Sequence, residues 1–387
     1  MNKVEFNVRL MSLIVNSACT ALLTLFIANN VDLIAFSILS YCLASSYSLS
    51  NILISRYIVH QFRNKSNTNH YEYFQIIRQR CIIYSIPFFI FQFCVLTYFE
   101  IQTVDKLIWC FFCINVMIFD LYLNALSFSN KSKISLAINT FNLLSILVFI
   151  IFQQNFTYNS HKLVNVIFWM LILSLSNSFF YLASKFTYQN VESSNATRST
   201  LTIEPIINQS IYTIYVLGLM SISQNSYGLV RISYMFISSL PLLFLTAYSQ
   251  NIIKKYSSIP LSNVFIAKDS GRLLCVVFVN IILLTTCENL INDYFKYSLQ
   301  DIYKYALGCI FYLFSALFQQ ISFFIAENKA NFKNFITYRV LMYLVSYILP
   351  LLIIYNYGFD YYNLASFIGL FCNIVFLGFV IKRGIDG

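Results

Sequence analysis

NNVDLIAFSILSYCLASSYSLSNILISRYI, Asn29–Ile58, decides how the rest of the chain is read. It carries no charge between Asp32 and Arg56. A helix needs about 20 mostly apolar residues to cross the hydrocarbon core, and this run meets that length. It lacks the strict two-residue alternation of a barrel strand. A related stretch, NSYGLVRISYMFISSLPLLFLTAYSQNIIKKY (Asn225–Tyr256), lies in the second half. SYCLASS begins at Ser40 and SYMFISS at Ser233, an offset of 193 in a chain of 387 residues. Each copy follows an Asn-containing turn and leads into basic residues.

Working outward, the same pattern gives twelve spans, near 10–28, 33–55, 81–98, 107–128, 134–152, 163–182, 204–223, 227–250, 273–287, 305–325, 335–355 and 363–381. Charge placement tests that count. With twelve spans the loops on the side of the termini hold 19 of the 25 Lys and Arg, whereas the other side holds Lys106, Lys162, Lys296 and Lys304. Basic residues collect in cytoplasmic loops, so both termini are expected in the cytoplasm. The outer loops instead collect Asp32, Glu100, Asp105, Glu288, Asp293, Asp301 and Asp360. The fold expected is an all-α polytopic membrane protein, about 12 transmembrane helices in two parallel six-helix halves. The N-terminal half covers 1–190, a cytoplasmic linker 191–203 and the C-terminal half 204–387. A parallel repeat places a substrate path between its halves.

Composition agrees. The chain is 58% hydrophobic and 10% charged, less than half of the charge a soluble domain carries. In a membrane protein the net charge of +10 marks cytoplasmic loops and not nucleic acid. No cleavable signal peptide is expected, because the first apolar run leads directly into a second. The loops are short, so function must lie within the bundle; the basic stretch HYEYFQIIRQR (His70–Arg80) reads as an amphipathic segment on the inner leaflet.

Enzyme constellations are missing from the sequence. The three His are scattered, and no H-x-x-x-H, G-x-S-x-G or Walker loop occurs. Cys110 and Cys113 form a C-x-x-C inside an apolar run with no second pair, which reads as packing. No cofactor, metal or catalytic residue is expected.

Charges inside spans are costly and mark candidate function. Asp120 lies in the fourth span, with Asn124 one turn on; it reads as an ion-coupling carboxylate or as a structural Asp paired to Asn. Arg231, in YGLVRISY near the outer end of the eighth span, reads as a cation for an anionic headgroup or as a snorkelling surface charge. Arg56 and Arg339, near the cytoplasmic face, read as phosphate contacts or topology charges. Pro87, Pro241 and Pro350 lie mid-span and kink their helices.

Twelve spans in two halves, minimal loops and the two quoted segments resemble the multidrug/oligosaccharidyl-lipid/polysaccharide exporter superfamily, within it the Wzx-type O-antigen and capsule repeat-unit flippases. The pattern departs at Ala35, opposite Gly228, and the first span lacks the acid usual in the drug-exporting branch. The resemblance implies a non-enzymatic inner-membrane protein of O-antigen (lipopolysaccharide) or capsule synthesis. Its cargo would be an undecaprenyl-pyrophosphate-linked oligosaccharide, flipped by alternating access. The resemblance also implies partners in the polymerase and chain-length regulator of the same pathway, and none in nucleic acid. The rival reading is an O-antigen polymerase or ligase. Those enzymes carry a large outer loop with Arg or His, whereas the longest one here, about 287–304, has two Lys and neither.

Overall fold

A computed structural model describes residues 3–30, 32–54, 71–128, 132–155, 163–187, 203–258, 263–294, 297–327 and 332–385. Among these, twelve helices of 20 residues or more follow one another. The first six are α1 (Lys3–Asn30), α2 (Leu33–Ile54), α3 (Tyr71–Tyr98), α4 (Thr103–Phe128), α5 (Ser132–Asn155) and α6 (Val164–Thr187). Next come α7 (Ile203–Ile222), α8 (Gln224–Ser258), α9 (Asn263–Thr286) and two short helices, α10 (Glu288–Tyr294) and α11 (Leu299–Tyr303). The chain ends with α12 (Ala306–Glu327), α13 (Phe332–Tyr357) and α14 (Tyr362–Ile385). Each predicted span falls, to within one residue, inside one long helix.

Backbone polar groups find no water in hydrocarbon, so an apolar run of this length must close its own hydrogen bonds as a helix. Seven helices (α2 to α6, α13 and α14) are long and apolar enough to cross a membrane by length and composition. Shorter apolar runs lie in α1, α7, α9 and α12. Their outer faces carry large apolar side chains. On α3, Ile82, Ile86 and Ile90 are 67%, 64% and 57% exposed at successive turns. Such stripes are expensive in water and natural against lipid, so the chain is a multi-pass membrane protein.

Several helices outrun their spans. Of His70–Arg80, expected as an amphipathic segment on the inner leaflet, Tyr71–Arg80 forms the first ten residues of α3, continuous with its span, and His70 lies outside the described residues. At 35 residues α8 far exceeds the bilayer requirement. The expected linker 191–203 lies outside the described residues up to its last position, Ile203.

The chain divides into two compact units, Met1–Val31 with Ile38–Thr213 and Asp32–Ser37 with Ile214–Gly387. In the first, α1 packs along α5, while α4 packs on α3 and α6. Polar side chains join α1 to α5: the Ser12 and Ser135 hydroxyls lie 2.7 Å apart and Asn139 Nδ2 donates to the Ser12 carbonyl at 3.1 Å. Hydrogen bonds of this kind hold helices together where lipid removes the hydrophobic drive. Trp109, Phe112 and Trp169 form an edge-to-face aromatic core. This half contains no glycine, and α3 therefore ends with Glu100 in the left-handed region at φ 58°. Bonds from Glu100 N to Thr97 O and Ile101 N to Leu96 O close a Schellman turn.

In the second unit α12 packs on α14 and α8, and α13 on α14. Leu273, Val277, Leu313, Leu317, Ile321 and Leu377 make its core. Pro350 has no N–H for the Ser346 carbonyl, and α14 meets this kink through Gly369, where a Cβ would lie 3.0 Å from Ser346 O. Asp32 caps the start of α2, its Oδ1 accepting from Ala35 N at 2.8 Å.

Candidate functional site

Asp120 sits on α4 inside the first unit. Its Oδ2 accepts from the Ser50 hydroxyl of α2. Its Oδ1 accepts from Asn124 Nδ2 at 3.3 Å, and the same Nδ2 donates to the Asp120 carbonyl at 2.9 Å. The carboxylate also lines a cavity of about 30 Å³, room for about two waters. Its polar walls are Asn16 and Thr20 of α1, Tyr47 of α2 and Asn142 of α5; Trp169 of α6 supplies an apolar side. Tyr47 lies beside both Asp120 and the Thr20 hydroxyl. Thr20 Oγ1 donates to Asn16 O at 3.0 Å, and Asn142 Oδ1 accepts from Ser176 at 2.6 Å.

The structure thus places Asp120 against Asn124, the pairing read from sequence, and on the wall of a small polar cavity. Chemically the cavity can hold water against an ionisable carboxylate, with α1, α2 and α5 all contributing polar groups. Asn16, Thr20, Tyr47, Ser50, Asn142 and Trp169 were not singled out in the sequence. Their one signal is a polar or large aromatic residue in the middle of an apolar run, which many other positions share.

Arg231 lies on α8 in the second unit and is half-buried. Its guanidinium carbon stands 5.3 Å from the centroid of the Tyr234 ring, three residues on, a cation–π geometry. Tyr234 meets Tyr312 of α12 edge-on at 5.5 Å. The charge also lies beside Cys309 of α12 and Tyr362 of α14, both buried. Asp120 and Arg231 therefore belong to different units. Arg339 falls on α13, with its side chain outside the described part, and Arg56 lies outside the described residues altogether. Among the described residues no group of His, Cys, Asp or Glu is arranged to hold a metal.

Comparison with solved structures decides the architecture. The chain superposes on an outward-facing multidrug resistance MATE family transporter of the MOP superfamily, with TM-score 0.56 and 9% identity over 99% of this chain and 96% of that one. A MATE transporter in complex with Br-NRF gives 0.57 and 9% over 99% and 95%. This is the MATE-like transporter fold. No sequence family matches the chain, and no curated protein does. In this fold Asp120 lies on the fourth long helix and Arg231 on the eighth.

Proposed function

We propose that this chain is a secondary transporter that moves an undecaprenyl-pyrophosphate-linked oligosaccharide from the inner to the outer leaflet of the bacterial inner membrane. Both termini lie in the cytoplasm, and the product feeds surface polysaccharide such as O-antigen or capsule, beside a polymerase and a chain-length regulator. The observation that carries this reading is the transporter fold spread over 99% of the chain. The physics of the cargo fits such a fold. Pyrophosphate and sugars cannot cross hydrocarbon unaided, whereas a polyprenyl tail stays in lipid.

Arg231 supplies a cation for the pyrophosphate, and a guanidinium binds phosphate oxygens two at a time. Arg56 and Arg339 are the further cations for a headgroup entering from the cytoplasmic leaflet. Asp120 couples transport to an ion gradient: a carboxylate that changes its charge or its bound cation shifts the balance between two states of the bundle. A drug cargo is disfavoured because the first span, 10–28, holds no acid. The experiment is a null strain assayed for the leaflet in which lipid-linked repeat unit accumulates. Accumulation in the inner leaflet, relieved by the gene, is expected; unchanged delivery to the outer leaflet overturns the reading.

A further inference from the structure

The third long helix of each unit sends one amide toward the second, and the two amides fare differently. In the second unit Asn280 of α9 donates from Nδ2 to Phe236 O at 2.8 Å and to Ile237 O at 2.9 Å, and its Oδ1 accepts from the Ser239 hydroxyl at 3.1 Å. Ile237 O is the carbonyl that Pro241, lacking an N–H, leaves without its helical donor. Asn280 is thus satisfied and braces the α8 kink.

In the first unit Gln92 of α3 is fully buried, and neither Oε1 nor Nε2 has a hydrogen-bond partner. The Tyr41 and Ser48 hydroxyls of α2 are in the same condition. Tyr41 lies within interaction range of Gln92 and Ser45, and its hydroxyl makes no hydrogen bond of normal length and angle to either. Tyr41, Ser45 and Ser48 share one face of α2 by helical spacing, and none of the residues along this stripe is charged.

Unpaired buried amides and hydroxyls oppose folding, and leucine at Gln92 would pack without that penalty. A seam that stays shut gains nothing from them, whereas a seam that opens gains polar walls. We infer that the α2–α3 seam of the first unit opens during the cycle, and that Tyr41, Gln92 and Ser48 then bind neutral hydroxyl groups, those of water or of a passing saccharide. This inference rests on the transport reading above.

Hydroxyl-radical footprinting of the wild-type chain, in cells making the polysaccharide, tests it by mass spectrometry. Trp109, 2% exposed in the same unit, is the protected reference and Tyr98, 72% exposed, the open one. An open state populated at about 10% would oxidise Tyr41 at roughly a tenth of the Tyr98 rate. Tyr41 as protected as Trp109 in cells that still transport overturns the seam and leaves the transporter standing. Lower Tyr41 oxidation in producing cells than in cells blocked before the first sugar is added identifies the saccharide as the occupant; equal oxidation identifies water. Gln92→Leu gives a second readout: a protein at least as heat-stable as wild type that transports more slowly. If Gln92→Leu transports at the wild-type rate, the seam is only packing.

Discussion

The two units solve one helical problem with opposite charges. The first holds a carboxylate, Asp120, against a small polar cavity; the fourth long helix of the second, α12, has no acid before Glu327 at its end. The second holds a guanidinium, Arg231, stacked on Tyr234; the second helix of the first, α2, has no charge at all, although Tyr41 occupies the position 193 residues before Tyr234. The recurring segment SYCLASS and SYMFISS therefore coexists with divergence in the charges. Each of these two groups stands on a helix whose counterpart in chain order carries no charged residue in its middle.

The largest effect that would break this comparison comes from Arg231. A hydrogen bond to a charged group contributes about 1.5–3 kcal/mol. Arg231→Ala should therefore slow transport by roughly 10- to 100-fold at normal membrane abundance, and Arg231→Lys should recover part of it. Full complementation of a null strain by Arg231→Ala would reduce the residue to a stacking partner of Tyr234.

Asp120→Asn comes next. It keeps shape and can still accept from Ser50, but it cannot ionise. Transport by the variant should be slower and should lose its dependence on pH between about 6 and 8. A wild-type profile for Asp120→Asn assigns the carboxylate to helix packing alone and removes the functional contrast between the units.

How much of this was legible in the sequence follows the range of the interaction concerned. The helices were readable because a charge-free run such as Leu33–Ile54 is a local property. The start of α3 was not, because Arg78 and Arg80 mask a helix that simply continues past the membrane. Asp120 and Arg231 stood out as charges in apolar runs, and the Arg231–Tyr234 stack is an i, i+3 neighbour pair. Ser50 beside Asp120 and Asn280 beneath Pro241 were hidden, because 70 and 39 positions separate the partners and only the packed bundle brings them together.

Asn280 sharpens the comparison through stability. Asn280→Leu strands the Ile237 carbonyl at the Pro241 kink and leaves the Ser239 hydroxyl without its Asn280 acceptor. An unsatisfied buried group costs about 1–3 kcal/mol, so purified Asn280→Leu should melt at a clearly lower temperature than wild type. Ser239→Ala removes the hydroxyl shared between Phe236 O and Asn280 Oδ1 and leaves one buried acceptor unpaired, so it should cost less than Asn280→Leu, about 1 kcal/mol. A melting temperature unchanged by Asn280→Leu would show that α8 holds its bend without the amide.

The smallest effect lies at the turns leading into the fourth long helix of each unit. In the first, Lys106 donates to Thr97 Oγ1 at 3.2 Å and stands over Phe93 at 5.5 Å. In the second, Lys304 pairs with Asp360 at 3.0 Å, with the side chains 54% and 82% exposed. Its hydrogen bond to the Asp360 carboxylate is the main cause holding the Lys304 ammonium above its usual value, with the neighbouring Tyr305 adding to it. A raised lysine value contributes stability that is complete below the ordinary value of 10.5 and is lost only as pH rises beyond it. Asp360→Asn should therefore lower stability by the same small amount throughout the neutral range, about 0.5 kcal/mol or less for so exposed a pair. High salt should shrink the difference further. Thr97→Val removes a neutral acceptor, so its effect should not respond to salt. Melting curves of the two variants at low and high salt make the test. A salt-insensitive loss well above 1 kcal/mol for Asp360→Asn would mean that the carboxylate organises the turn itself, and the two turns would then differ in kind.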